Sequence, residues 1–192
     1  MGLGYYPGVN PGAIQDLNLQ SWFLELDQYA DKIPLPVLTS GLKRLRLDLS
    51  DVMAFVKFSD DRYQRNLLHR GPAYHALLLC WLNGQRSPIH DHRGSACGVR
   101  VISGEVTETV FEMTEEGHVF PVRTSRLPES AVCATEDLDI HQLSNLQPGN
   151  ANLVTLHIYS PPLLVMGQYS LTDSTVREFN DEVHVLTGGA GI

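Results

Sequence analysis

Two histidines separated by one residue, His90 and His92, lie inside a stretch that opens at Gly84 and closes at Gly104. On a β-strand successive side chains point to opposite faces, so both imidazoles share one face and Asp91 is turned away. Two neutral imidazoles on one face make half a metal site. Imidazole suits Zn, Cu, Fe and Ni, and a rigid strand pair needs only one or two further ligands from elsewhere in the chain. An isolated pair of this kind is more often a surface or hydrogen-bonded pair, so the frame around it decides its meaning. Gly84 stands six residues before His90 and Gly104 twelve after His92, and these glycines bracket a predicted strand, turn and strand.

From Tyr63 onward the chain consists of short β-branched or leucine-rich runs separated by turn residues at Gly71-Pro72, Asn83-Gly84, Gly104, Gly117, Pro128 and Pro148-Gly149. Such a series predicts an all-β sandwich or barrel. Upstream, Asn10-Pro11 reads as an N-cap and first helical residue, and Leu19, Trp22, Phe23 and Leu26 follow at helical spacing, predicting a helix over about residues 11 to 31. Pro34 and Pro36 are expected to break it. A second helix is expected from a Ser50 cap through Val52, Met53, Phe55 and Val56. With no linker visible, the expectation is one domain over 1–192, with a helical segment to about residue 60 and a barrel over about 61 to 180. The tail from Thr187 to Ile192 reads as frayed.

The net charge of −8 argues against nucleic acid and anionic membranes as partners. Cys80, Cys97 and Cys133 form an odd set without a CxxC pair, and neither a signal peptide nor a membrane-length apolar run is apparent. The reading is a cytoplasmic protein with reduced thiols, monomeric or a small homo-oligomer.

Two further segments carry candidate chemistry. His141, four residues before Asn145, is a candidate third ligand. In the run from Thr155 to Pro162, alternation sets Thr155, His157 and Tyr159 on one face. Alone this would be a polar edge strand facing water; beside a metal, an inward His and Tyr suit proton transfer. Ser160-Pro161 is a candidate cis bond aimed at the tyrosine. His69, His75, His118 and His184 lack partner spacing and read as solvent or hydrogen-bonding histidines.

The spacing from Gly84 to Gly104 resembles the first motif of the cupin superfamily, G-x5-H-x-H-x4-E-x6-G, with Cys97 standing where the glutamate would be. His141 and Asn145 match the H-x3-N core of the second motif, without its preceding P-x-G. Ser87 to His92, Cys97, Ser103 to Thr109, His141 and His157 to Pro162 together resemble the cysteine dioxygenase branch of the cupins, of bacterial type. Tyr63 to Leu67 and Leu79 to Trp81 extend the likeness, so that it spans about residues 63 to 170.

The resemblance implies a cupin jelly-roll β-barrel with the N-terminal helices packed on its outside. It implies a mononuclear non-haem Fe(2+) held by His90, His92 and His141, with L-cysteine and O2 as substrates in cysteine catabolism. It puts Arg65 on the substrate carboxylate with Tyr63 beside it, and Cys97 where some members form a thioether crosslink to Tyr159. His157 is implied as hydrogen-bonding that tyrosine, and Thr155 stands in place of the usual serine. Relatives preferring 3-mercaptopropionate have glutamine at the Arg65 position and arginine near Met166, so Arg65 with Met166 points to cysteine. Dioxygenation of 3-mercaptopropionate or mercaptosuccinate, and a non-catalytic metal-binding cupin, are the alternatives.

Overall fold

A computed structural model of the chain describes residues 17–136, 139–180 and 182–185. The helical segment differs from the expectation in three ways. The first helix, α1 (Leu19–Leu26), is shorter than expected: Asn18 accepts the Ser21 N–H at 2.8 Å, and Asp27 ends the helix. Leu17 is already extended, in a parallel bridge with Leu45. The expected start at Asn10-Pro11 lies outside the described residues, as does the C-terminal tail.

The prolines start a helix where a break was expected. In α2 (Leu35–Arg44), Pro34 is the N-cap and Pro36 falls in the first turn. There a missing N–H costs nothing, because that turn has no intrahelical acceptors for its donors. The segment expected as a helix from Ser50 is a 3₁₀ turn, Leu49–Phe55, capped by Asp48 and Asp51, which bond each other's backbone N–H groups. Of its apolar residues Val52 is buried and Met53 faces water, which is too narrow a stripe to seat an α-helix.

The strands follow the sequence reading. β1 (Gln64–Arg70), β2 (His75–Trp81), β4 (Ala96–Ser103), β7 (Val132–Glu136) and β9 (Leu153–Ser160) form a five-stranded sheet in the order β1-β2-β9-β4-β7. β3 (Ile89–His90), β5 (Val106–Met113), β6 (Val119–Leu127), β8 (Ile140–Ser144), β10 (Val165–Tyr169) and β11 (Arg177–Asn180) form a six-stranded sheet in the order β11-β10-β3-β8-β5-β6. All the strand pairs within both sheets are antiparallel. Among the described residues no helix is long and apolar enough to cross a membrane.

β9 sets the geometry of the interior. It lies at the centre of its sheet and every residue of it is buried. Leu156 and Ile158 on one face join Ala76, Leu78 and Cys80 of β2 beneath the helices, in one apolar layer with Trp22, Phe23, Leu38 and Leu42. α2 comes close enough to α1 that a Cβ on Gly41 would strike the Trp22 ring. The opposite face of β9 looks between the sheets, where Leu77, Leu79, Trp81, Val99, Leu143 and Met166 pack around Tyr159. The polar alternation at Thr155, His157 and Tyr159 therefore faces the interior, and β9 is no edge strand.

Candidate metal centre and active site

Three buried histidines meet between the sheets. His90, on β3, is the register partner of His141 on β8, and His92 follows two residues later. Their ring centroids lie 4.8 Å (His90–His141), 4.9 Å (His92–His141) and 5.3 Å (His90–His92) apart. One ring nitrogen from each can be chosen so that all three lie within 4.8 Å of one another.

In His90 and His141 hydrogen bonding selects which nitrogens these are. Nδ1 of His90 lies 3.0 Å from the carbonyl oxygen of Pro88, which can only accept, so Nδ1 carries the proton and Nε2 keeps a lone pair. Nδ1 of His141 donates to Oε1 of Glu108 at 3.0 Å, which leaves Nε2 as the nitrogen not engaged by the protein. Neither ring nitrogen of His92 has a hydrogen-bond partner although the residue is fully buried. A polar ring is rarely left in that state without a ligand. Burial, and next the neighbouring His141, push His90 down to about 3 and His92 well below its ordinary value, so both rings are neutral donors. Buried and convergent, the three histidines fit a metal ion of the kind that imidazole prefers.

Glu108 is the carboxylate that sequence reading assigned no role. It sits on β5, whose Val110 is the register partner of His141. The hydrogen bond from His141 is the main influence holding its carboxyl below the usual range. Such an outer carboxylate fixes the ring and raises its basicity. Glu108→Gln is therefore expected to weaken metal binding by about 10- to 100-fold in chelator competition; an unchanged dissociation constant would make the carboxylate a bystander.

The histidines line one wall of a narrow pocket between the sheets. The other walls carry Tyr63, Arg65, Trp81, Cys97, His157, Tyr159 and Met166, so most of the residues singled out from sequence are brought together. Tyr63 stacks on Trp81 with centroids 4.2 Å apart. Arg65 is buried, with its guanidinium carbon 5.5 Å from the Tyr159 ring centroid and Nη2 donating to the Leu163 carbonyl at 3.2 Å. Thr155 is not in the pocket lining. It stands behind His157, reaching the pocket only through hydrogen bonds.

Those bonds form a directed chain. The Trp81 indole N–H, which can only donate, reaches Thr155 Oγ1 at 3.1 Å. Thr155 Oγ1 lies 2.9 Å from Nε2 of His157, and Nδ1 of His157 lies 3.0 Å from Tyr159 Oη. Using every donor means that Thr155 donates to Nε2 and that Nδ1–H donates to the phenol oxygen. The phenol O–H is then turned toward the pocket. Burial, then the charge of Arg65, keep His157 neutral. Cys97 is the register partner of Tyr159 across β4 and β9. Burial raises its thiol well above the ordinary value, with Cys133 adding to the rise and a hydrogen bond with Tyr159 opposing it, so it is a neutral thiol. Ser160-Pro161 is cis.

Asn145 contributes scaffolding: its side chain donates to the carbonyls of Trp81 at 3.1 Å and Ala151 at 2.8 Å. His69 meets Asp27 at 3.1 Å, in the hydrogen-bonding role read for it.

Two antiparallel sheets enclosing three buried histidines define a metal-binding cupin. The fold agrees with solved structures: a protein with a double-stranded β-helix domain from Klebsiella pneumoniae (TM-score 0.51, 15% identity, 62% of this chain and 88% of that one) and a Thermus thermophilus protein (TM-score 0.50, 16% identity, 60% and 99%). Residues 40–172 match the family Cysteine dioxygenase type I. Cysteine dioxygenase type 1 of Danio rerio is 31% identical over 138 residues, covering 69% of this chain and 68% of that protein; the Homo sapiens counterpart is 29% identical over 136 residues, covering 69% and 68%. The chain belongs to the cysteine dioxygenase type I family, and it is a cupin thiol dioxygenase.

Proposed function

We propose that the protein oxidises L-cysteine to cysteine sulfinic acid with O2, using a mononuclear Fe(II) held by His90, His92 and His141. The observation that carries the choice of substrate is Arg65, a buried guanidinium opening into the same small pocket as the three histidines. Its planar fork suits a carboxylate through two parallel N–H···O bonds, a geometry that lysine cannot reproduce. The pairing of Arg65 with Met166 supports cysteine over 3-mercaptopropionate.

Iron(II), when bound, supplies the redox chemistry that lets O2 react with a thiolate. The chain's own groups do the rest. Arg65 and Tyr63 hold the substrate carboxylate, which directs the thiol toward the histidines. Trp81, Leu79, Leu143 and Met166 exclude water, strengthening every charge interaction within. His157 fixes the Tyr159 phenol, whose O–H is positioned to hold or deliver a proton in the pocket. The reaction balances without a co-reductant: RSH and O2 give RSO2H, both oxygens going to sulfur and sulfur supplying four electrons.

We also propose that Cys97 Sγ joins the Tyr159 ring as a thioether, losing the thiol hydrogen and one ring hydrogen, with O2 as the acceptor. The register pairing of the two residues supports it.

The test is oxygen consumption by Fe(II)-loaded protein with L-cysteine, 3-mercaptopropionate, mercaptosuccinate and cysteamine side by side. A cysteine preference with sulfinate product is the expected result, and the digested protein is expected to contain a linked Cys97–Tyr159 peptide pair lighter by two hydrogens. Preference for another thiol would overturn the substrate assignment, and only unlinked peptides after turnover would overturn the crosslink.

A further inference from the structure

The ligand pair His90-Asp91-His92 lies where regular pairing ends. β3 is two residues long and stops at His90. The two residues beyond His92 leave by a turn in which Arg93, a residue with a side chain, adopts φ 43, in the left-handed region. His92 has no polar side-chain partner to fix its ring, so the ring's place depends on the backbone that carries it. Ser95 N–H bonds the His92 carbonyl at 2.9 Å and closes the turn from the far side.

On the near side the ladder with β10 and β8 reaches only to His90, whose register partners are Gln168 and His141, and beyond it the contacts to β10 run through Asp91. Its N–H donates to the Gly167 carbonyl at 3.2 Å. Its Oδ1 accepts the Gly167 N–H at 2.9 Å, and its Oδ2 accepts the Tyr169 O–H at 2.8 Å. The carboxylate sits so close to β10 that a Cβ on residue 167 would come within 2.5 Å of Oδ2. Arg93 brings Nε to 3.9 Å from Oδ1 and reaches over to Glu178 of β11 at 3.0 Å, steadying the strained turn from outside. Burial, and next the bond to Asp91, push Tyr169 up to about 12, so it remains a donor.

Resting on the three-histidine metal site proposed above, we infer that Asp91 is a positioning residue: it pins the ligand pair to β10, the strand that also carries Met166 into the substrate pocket, and thereby sets the aim of His92. The role is geometric. An asparagine can make every one of these bonds, its carbonyl oxygen accepting from Gly167 and its amide donating to the Tyr169 oxygen, whereas alanine makes none of those that run through the side chain.

The experiment measures Fe(II) affinity and release by anaerobic chelator competition, together with the ligand-field absorption of the Co(II)-loaded protein, in wild type, Asp91→Ala, Asp91→Asn and Tyr169→Phe. Expected are affinity lower by on the order of 10-fold with an altered Co(II) spectrum in Asp91→Ala, a smaller loss in Tyr169→Phe, and near wild-type behaviour in Asp91→Asn. Wild-type affinity and spectrum in Asp91→Ala would overturn the inference, as would an Asp91→Asn protein as weak as Asp91→Ala. If Asp91→Ala does not fold, Tyr169→Phe decides, and a wild-type value there overturns the role. Wild type that binds neither ion would sink the metal site itself, an outcome separate from failure of the clamp.

Discussion

His92→Ala is expected to reduce thiol-dependent oxygen uptake to below about 1% of wild type, because losing a ligand must cost more than the 10- to 100-fold that losing an outer-shell partner costs. The other two ligands keep their tautomers through Pro88 and Glu108, so a bidentate remnant survives and the loss is of affinity and geometry together. The fold itself should suffer little. The His92 ring makes no hydrogen bond, so its removal strands no partner. The check is metal content and oxygen uptake measured on the same sample, with thermal unfolding of the metal-free protein alongside. A variant retaining iron and turning over like wild type would remove His92 from the ligand set.

The second large effect is expected at Arg65. Arg65→Gln removes a bidentate, charge-assisted clamp worth about 3–4 kcal/mol in total at typical values per bond. That corresponds to a rise of roughly 100- to 1000-fold in the Michaelis constant for cysteine. Iron binding should be unchanged, since no ligand is touched. Cysteamine, which has no carboxylate, provides the internal control: its slower turnover should respond little to the substitution. Equal losses on both thiols would mean that Arg65 shapes the pocket rather than gripping the carboxylate.

What was legible in the sequence was whatever repeats at short range. His90 and His92 are two residues apart, and the alternation of Thr155, His157 and Tyr159 needs only the two-residue period of a strand. Both features survive in the structure, and His141 joins the pair through the β3–β8 register. The misses are contacts across the fold. Glu108 lies 33 residues from His141 and Asp91 lies 78 from Tyr169, separations over which no local pattern operates. A signal was nonetheless present: an acid in a strand otherwise predicted to pack, inside a run already matched to the family. Pro34 and Pro36 were misread because proline ends a helix from within yet is well tolerated in its first turn, and spacing alone does not separate the two positions.

The two-sided burial of β9 also governs what can be cut away. Leu156 and Ile158 face the layer formed with Trp22, Phe23, Leu38 and Leu42, while the residues between and beside them carry the hydrogen-bond chain to Tyr159. We propose that the helical segment and the barrel form one folding unit. A shortened chain beginning near residue 61 would turn Ala76, Leu78, Leu156 and Ile158 toward water, on the reverse side of the strand that aims the phenol. Trimming the protein to a minimal catalyst by excision thus runs through the strand its chemistry depends on; a smaller version would need a redesigned outer face before its inner one could be trusted.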